Sequence, residues 1–110
     1  MTLEERIIGL IGIANRGKYL TYGEDIIFKI KKHKMRLIII ALDSSDSFKK
    51  EMEQLAIDNN LSTIYFLTKE QLGQIVKKDS VNALGVLNST IAKRIEELQE
   101  EVENYVKKAN

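Results

Sequence analysis

The segment RLIIIAL, residues 36–42, decides the class of the fold. Six apolar residues follow Arg36 without interruption, and three of them are isoleucine. A short apolar run rich in β-branched residues is typical of a strand that is buried on both faces, as in sheets covered by helices. We therefore predict a central strand here, with helices above and below its sheet.

Helical and extended patterns alternate on both sides of this segment. The predicted elements are, in order, a helix to about residue 15, a strand over 18–21, a helix from 23 to about 34, the strand over 36–42, a helix over 48–60, a strand over 62–67, a short helix to about 76, a strand over 82–87 and a helix over about 88–109. The order α-β-α-β-α-β-α-β-α predicts an α/β fold, namely a three-layer α/β/α sandwich with a four-stranded mixed sheet. A length of 110 residues suits one domain with an extended C-terminal helix.

Several helix boundaries carry specific signals. Thr2 with Glu5, and Thr68 with Gln71, have the spacing of a capping box, and Asn88 is placed to cap the last helix. In the second helix we expect three isoleucines to face the core, at positions 26, 27 and 30.

The composition excludes several classes of protein. The chain has no Cys and one His (His33), which excludes disulfides, thiol catalysis and multi-His or Cys-containing metal sites. The first residues do not have the pattern of a signal peptide, and no apolar run reaches the roughly 18–20 residues of a membrane span. We expect a cytoplasmic protein without a membrane partner, metal or cofactor.

Charge is distributed unevenly, although the net charge is only +1. Residues 16–36 contain seven Lys or Arg and two acids, a net of +5, whereas residues 96–110 carry five Glu and two Lys, a net of −3. A helix dipole stabilises a cation at its C-terminus by about 0.3–1 kcal/mol. That explains one or two of these lysines; the others repel one another unless phosphates neutralise them. We expect them on one rim that binds RNA, while a solvated face is the alternative.

The sequence has no recognisable catalytic constellation. Gly9 and Gly12 lie within a predicted helix and lack the spacing of a phosphate loop. Asp43 and Asp46 follow the central strand, where α/β proteins often bind ligands, so a phospho-acceptor or Mg²⁺ site is an enzymatic alternative. The interpretation we prefer assigns both to the loop and cap of the third helix. We therefore predict no catalytic residues and no enzyme.

Four segments together resemble the kink-turn RNA-binding family of ribosomal proteins, which includes the archaeal "seven-Ae" and eukaryotic "thirty-e" proteins. They are IANRGKYLTYGEDIIFKIKK (13–32), RLIIIALDSS (36–45), KEQLGQIV (69–76) and NALGVL (82–87). The likeness spans roughly residues 8–95 and is greatest to the small bacterial YlxQ-type branch. It implies the same three-layer sandwich and a non-catalytic protein that binds structured RNA, with ribosomal RNA as one candidate.

The resemblance also implies where RNA binds. In the family, the RNA edge is formed by the turn between the first strand and second helix and by the loop before the last strand, here residues 17–29 and 77–82. The candidate RNA-binding residues are Arg16, Gly17, Lys18, Tyr22, Gly23, Glu24, Asp25, Lys29, Lys32, Lys77, Lys78, Ser80, Val81 and Asn82.

The turn departs from the family pattern Gly-x-Asn-Glu-x-x-Lys, whose Asn, Glu and Lys contact sheared G·A pairs. Placing Thr21, Tyr22 or Gly23 at the pattern's glycine never recovers all three contacting residues. The resemblance therefore implies RNA binding as a broad function, and these departures weigh against kink-turn specificity. The alternative is a protein-interaction module that has lost RNA binding and forms a weak homodimer, or binds a partner, through Val102, Tyr105 and Val106.

Overall fold

The computed structural model describes the backbone of residues 1–109 and the side chains of residues 1–104. The elements are α1 (Leu3–Arg16), β1 (Leu20–Tyr22), α2 (Asp25–Lys31), β2 (Leu37–Ile40), α3 (Asp46–Asp58), β3 (Ser62–Tyr65), α4 (Lys69–Ile75), β4 (Ala83–Val86) and α5 (Ser89–Ala109). The predicted order is confirmed. No helix among the described residues is long and apolar enough to cross a membrane.

The four strands form one mixed sheet in the order β1-β4-β2-β3. β2 pairs with β3 in parallel, and β4 runs antiparallel to both of its neighbours, β1 and β2. The predicted mixed sheet is therefore confirmed, with the apolar segment of residues 37–40 in its interior.

Helices cover both faces of the sheet and complete the predicted three-layer sandwich. Leu37 and Ile39 of β2 point into a core formed with α1, α4 and α5. Ile38 and Ile40 point the other way, into a core formed with α2 and α3. All four side chains are fully buried, as the uninterrupted apolar run predicts.

The capping predictions are confirmed. Thr2 and Thr68 each form a capping box with the residue three positions later, and the Asn88 side chain accepts a hydrogen bond from the backbone of Ile91 at 2.9 Å. Each cap satisfies a backbone N–H that has no partner within its helix.

The second helix differs from its prediction in length and in one contact. Ile26 and Ile30, four residues apart, are buried, but Ile27 is 37% exposed, so the expectation that it faces the core is wrong. A helix this short buries a single line of side chains, and residue 27 lies about 100° around the axis from residue 26. α2 also ends at Lys31 rather than near Lys34, and His33 has a left-handed φ of 58° that a helix cannot contain.

A close contact between α4 and the loop before β4 depends on Gly73. This glycine is buried in α4, and a Cβ placed on it would lie 2.7 Å from Ser80 Cα and 2.8 Å from the carbonyl oxygen of Lys78. Both are backbone atoms that cannot rotate away. Gly73 therefore holds residues 77–82 against the helix, and Lys78 N–H donates to its carbonyl oxygen at 2.9 Å.

Replacing Gly73 with Ala should lower the free energy of unfolding by about 1–3 kcal/mol, because the added methyl group overpacks two backbone segments. Chemical denaturation followed by circular dichroism measures the change. Gly9→Ala is the matched control in α1: a Cβ added there would meet no neighbouring atom within 4 Å, so helix propensity alone should raise stability by about 1 kcal/mol. Equal effects of the two substitutions would contradict the packing argument.

Candidate nucleic-acid interface

Strand direction divides the loops between two edges of the sheet. β1, β2 and β3 run the same way, and β4 runs against them. The carboxyl edge, as we define it, holds the ends of β1, β2 and β3 and the start of β4. The amino edge holds the starts of those three strands and the end of β4. β2 crosses the sheet from Leu37 to Ile40, so the two edges are about 13 Å apart at ~3.3 Å per residue.

The turn between β1 and α2 lies at the carboxyl edge. Gly23 has a φ of +66°, a left-handed conformation that glycine adopts without strain. The buried hydroxyl of Thr21 donates a hydrogen bond to the carboxylate of Asp25, the first residue of α2. This bond fixes the start of the helix and leaves Glu24 and Tyr22 exposed at the turn.

The loop of residues 77–82 reaches the same edge and contacts the turn. The Lys78 ammonium lies over the Tyr22 ring, with Nζ 5.9 Å from the ring centroid. The Ser44 hydroxyl lies 3.1 Å from both the carbonyl oxygen and Oδ1 of Asn82, and Val81 N–H donates to the Lys69 carbonyl at 3.0 Å. Two segments more than fifty residues apart in sequence are thus held side by side.

A groove of about 270 Å³ opens between the turn, α3 and the end of this loop. Phe48 and Met52 contribute apolar surface to it, and Glu24, Glu51 and Asn82 supply its polar groups. Two carboxylates repel phosphate but accept hydrogen bonds from base amino and imino groups. The groove therefore suits the edge of an unpaired base better than a phosphate.

The other candidate residues do not lie with this pair of segments. Arg16, Gly17 and Lys18 precede β1 and lie at the amino edge, so the expectation that they share one rim with the turn and the loop is wrong. Lys29 belongs to α2 and lies between the two edges. Lys32 caps the C-terminal end of α2 and lies at the amino edge. The sequence pattern could not reveal this division, because it depends on the direction in which α2 crosses the sheet.

Sequence reasoning missed Phe28, which is 53% exposed on the outer side of α2. The Lys32 ammonium lies 5.4 Å from its ring centroid and so extends back along the helix. The signal that could have found this pair is the four-residue spacing of positions 28 and 32, on the side of α2 opposite the buried Ile26 and Ile30.

Asp43 and Asp46 have structural roles in helix starts. Asp43 lies in the loop before α3, as predicted, and its Oδ1 also accepts a hydrogen bond from Lys69 N–H, the first residue of α4, at 2.8 Å. Ser45 is the N-cap of α3, and Asp46 lies in its first turn. Among the described residues, no group of three or more His, Cys, Asp or Glu side chains could hold a metal ion.

Comparison with known proteins agrees with the resemblance in sequence. The model of the "Ribosomal protein L7Ae/L30e/S12e/Gadd45 family" matches residues 5–96. The chain belongs to this family. It is 25% identical over 97 residues to the "RNA-binding protein YlxQ" of Enterococcus faecium, covering 87% of this chain and 93% of that protein.

Solved structures share the fold. A protein of unknown function from Bacillus halodurans superposes with a TM-score of 0.78 at 19% identity, covering 84% of this chain and 94% of the other. The Giardia lamblia 15.5kD RNA binding protein superposes with a TM-score of 0.72 at 16% identity, covering 93% of this chain and 88% of the other. At these identities the likeness establishes the three-layer fold.

Most of α5 packs on its own chain. Ile95 and Leu98 are buried against the sheet, Ile91 packs beside them, and Val102 is partly buried. Tyr105 and Val106, which the dimer alternative uses, lie outside the described side chains.

Lys77 occupies a conformation that favours glycine, since its φ is 60°. Lys77→Gly should therefore raise the free energy of unfolding by about 0.5–1 kcal/mol. The substitution relieves the strain of the left-handed conformation, and the greater entropy of the unfolded chain cancels part of that gain. The matched control is Lys78→Gly, which removes the same charge from the next position, where φ is not positive, and should lower stability by about 0.5–1 kcal/mol. Thermal and urea unfolding of both variants measure the difference; a destabilised Lys77→Gly would refute this assignment.

Proposed function

We propose that this protein is a non-catalytic RNA-binding protein whose carboxyl edge binds structured RNA, ribosomal RNA among the candidates. The observation that carries the proposal is the contact between the turn at Tyr22 and the loop at Lys78, which joins the two predicted RNA-binding segments. Membership of the family and the similarity to a protein named as RNA-binding support it.

The chemistry of the edge suits RNA that presents unpaired bases. The Lys78 ammonium supplies a phosphate contact, and the partly exposed Tyr22 ring supplies a stacking surface. The neighbouring groove accepts a base edge through Glu24 and Asn82. Proteins that recognise RNA by sequence mostly target such loops and bulges rather than regular duplex.

Kink-turn recognition is not part of the proposal. The turn has no Asn, and the Asp25 carboxylate is already bonded by the Thr21 hydroxyl. A carboxylate accepts hydrogen bonds only, whereas an Asn side chain both donates and accepts. We infer that an internal loop or bulge with splayed bases binds at least as well as a kink-turn.

Association through α5 is a second candidate. Among the described side chains, Leu98 is the last buried residue of α5, and the helix continues to Ala109. A helix that extends beyond its own core is a surface on which a second copy could pack. Light scattering of the full chain tests this: a concentration-dependent dimer supports it, and a monomer at high concentration excludes it.

RNA binding is tested with a short hairpin that contains one internal loop, titrated at several salt concentrations. Tyr22→Ala should weaken binding by about 5- to 150-fold, the range that corresponds to one lost base stack of ~1–3 kcal/mol. Tyr19→Ala is the matched control, because the two tyrosines are similarly exposed, 37% and 42%, and Tyr19 adjoins the amino edge. With this short RNA the control should bind as the unmodified protein does.

The outcomes separate the alternatives. Binding that is absent at low salt excludes RNA as the ligand. Equal losses from the two substitutions would show that the carboxyl edge is not the contact surface. A fully paired hairpin that binds as tightly as the looped one would exclude recognition of unpaired bases.

A further inference from the structure

A second positively charged surface lies at the amino edge. Its centre, here named the amino-edge cluster, consists of Lys31, His33, Lys34 and Arg36, which join α2 to β2. Arg16 and Lys18, which precede β1, lie at the same edge, two strand spacings or about 10 Å from the start of β2.

The cluster borders a shallow pocket of about 210 Å³. His33 and Arg36 line one side, and Asn59 and Asn60, which follow α3, line the other. These four side chains are polar, and those of Arg36 and both asparagines carry N–H donors, one of which, on Asn59, donates to the Leu55 carbonyl at 2.8 Å. Donors grouped around a concave surface match an anion with several acceptor oxygens.

The positive charge of this cluster is not neutralised within the described part of the chain. The ion pair found among residues 1–104 joins Arg94 and Glu97 of α5, and it involves no member of the cluster. The nearby carboxylate of Asp58, at the end of α3, accepts a hydrogen bond from Gln54 at 2.9 Å. Like charges that remain unpaired destabilise the folded protein, and an anionic partner removes that repulsion.

The backbone holds the centre of the cluster in place. Arg36 N–H donates to the Val86 carbonyl at 2.8 Å, and the Arg36 guanidinium lies 3.4 Å from the His33 carbonyl oxygen. Lys34 N–H donates to the Lys29 carbonyl at 3.0 Å, which closes the end of α2. The cations therefore project from an ordered connection rather than from a loose loop.

Two further lysines connect this surface with the first one. Lys29 lies within α2, and the Lys32 ammonium points back along the helix over Phe28. One extended polyanion can thus follow α2 from one edge of the sheet to the other. An acidic protein segment would explain the cluster alone, but it would leave the intervening lysines and the carboxyl edge unexplained.

We propose that the amino-edge cluster is a second RNA contact, which binds phosphates of a helical stem continuing from the element held at the carboxyl edge. The proposal rests on the proposed function and adds the class of RNA, a loop joined to a stem. The edges are about 13 Å apart, which corresponds to about four or five base pairs of an A-form RNA stem. The contact is made to the backbone and is independent of stem sequence.

The test compares two RNAs that share one internal loop. The stem on one side of the loop has about three base pairs in the short RNA and about nine in the extended RNA. Each RNA is made in two versions, with the loop inserted in opposite orientations, so that the variable stem leaves either side of the loop. In one orientation the extended RNA should bind about 10- to 100-fold more tightly at low salt. Its plot of log affinity against log salt should be steeper by about 2–3, since each phosphate contact contributes ~0.9.

Matched variants assign the gain to the cluster. Replacing Lys34 and Arg36 together with Gln should abolish most of the advantage of the extended RNA and leave binding of the short RNA unchanged. Replacing Arg6 and Lys50 with Gln is the control, because it removes the same charges from exposed sites on α1 and α3. Thermal unfolding should be the same for both double variants.

Each outcome is decisive. If neither RNA binds, the proposed function fails and this inference fails with it. If the short and extended RNAs bind with equal affinity and equal salt slope in both orientations of the loop, the inference is overturned while the proposed function stands. The same conclusion follows if the Lys34 and Arg36 variant weakens both RNAs equally. Displacement of the extended stem by polyglutamate at equal charge, without loss of the loop contact, would instead assign the cluster to an acidic protein.

Discussion

Burial of β2 on both faces is the interaction on which the rest of the structure depends. Its four side chains, residues 37–40, are fully buried, two in each helical layer. Each contributes about 1.5–3 kcal/mol of transfer free energy, so the strand supplies about 6–12 kcal/mol, an upper estimate before the entropy of ordering. That is comparable with the whole net stability of a small domain, about 5–15 kcal/mol. A strand of this kind requires helices on both sides, and the chain supplies them.

The position of β2 between β4 and β3 also arranges the surfaces. Because β4 runs antiparallel to β1 and β2, the loop that precedes it meets the turn that follows β1. Gly73 permits the close approach of that loop to α4, and Gly23 permits the turn. The candidate interface is therefore a consequence of strand direction and two small residues, and the exposed side chains proposed to bind RNA are placed on it.

Most of the fold could be predicted from the sequence, because its signals are local. The apolar run of β2, the capping boxes at Thr2 and Thr68 and the 3.6-residue spacing of α1 all depend on neighbours within a few residues. The end of α2 was predicted too late in the sequence, and the cause is again local. His33 takes a left-handed conformation, which the sequence does not signal because the residue is neither glycine nor asparagine. The hydrogen bond from Lys69 N–H to Asp43 was not predicted, because the two residues are distant in sequence.

The candidate site could be predicted only in part, for a related reason. The two segments named from the family resemblance are residues 17–29 and 77–82, and they meet in space at Tyr22 and Lys78. The basic residues between 16 and 36 do gather mostly at one edge, but it is the amino edge, opposite the edge that carries these two segments. Sequence proximity misleads here because α2 carries the chain back across the sheet, so that residues ten positions apart lie at opposite edges.

That division changes the electrostatic argument for an anionic partner. Of the seven cations in residues 16–36, six lie at the amino edge and Lys29 lies along α2, while Lys77 and Lys78 supply the positive charge of the carboxyl edge. Together they form a positive band about 13 Å long. A band of that length exceeds the Debye length of ~8 Å at physiological salt, so a small anion bound at one end gains little from charges at the other. A rigid polyanion of comparable length gains from all of them at once. The distribution of charge therefore favours a ligand with repeated phosphates over a single anion.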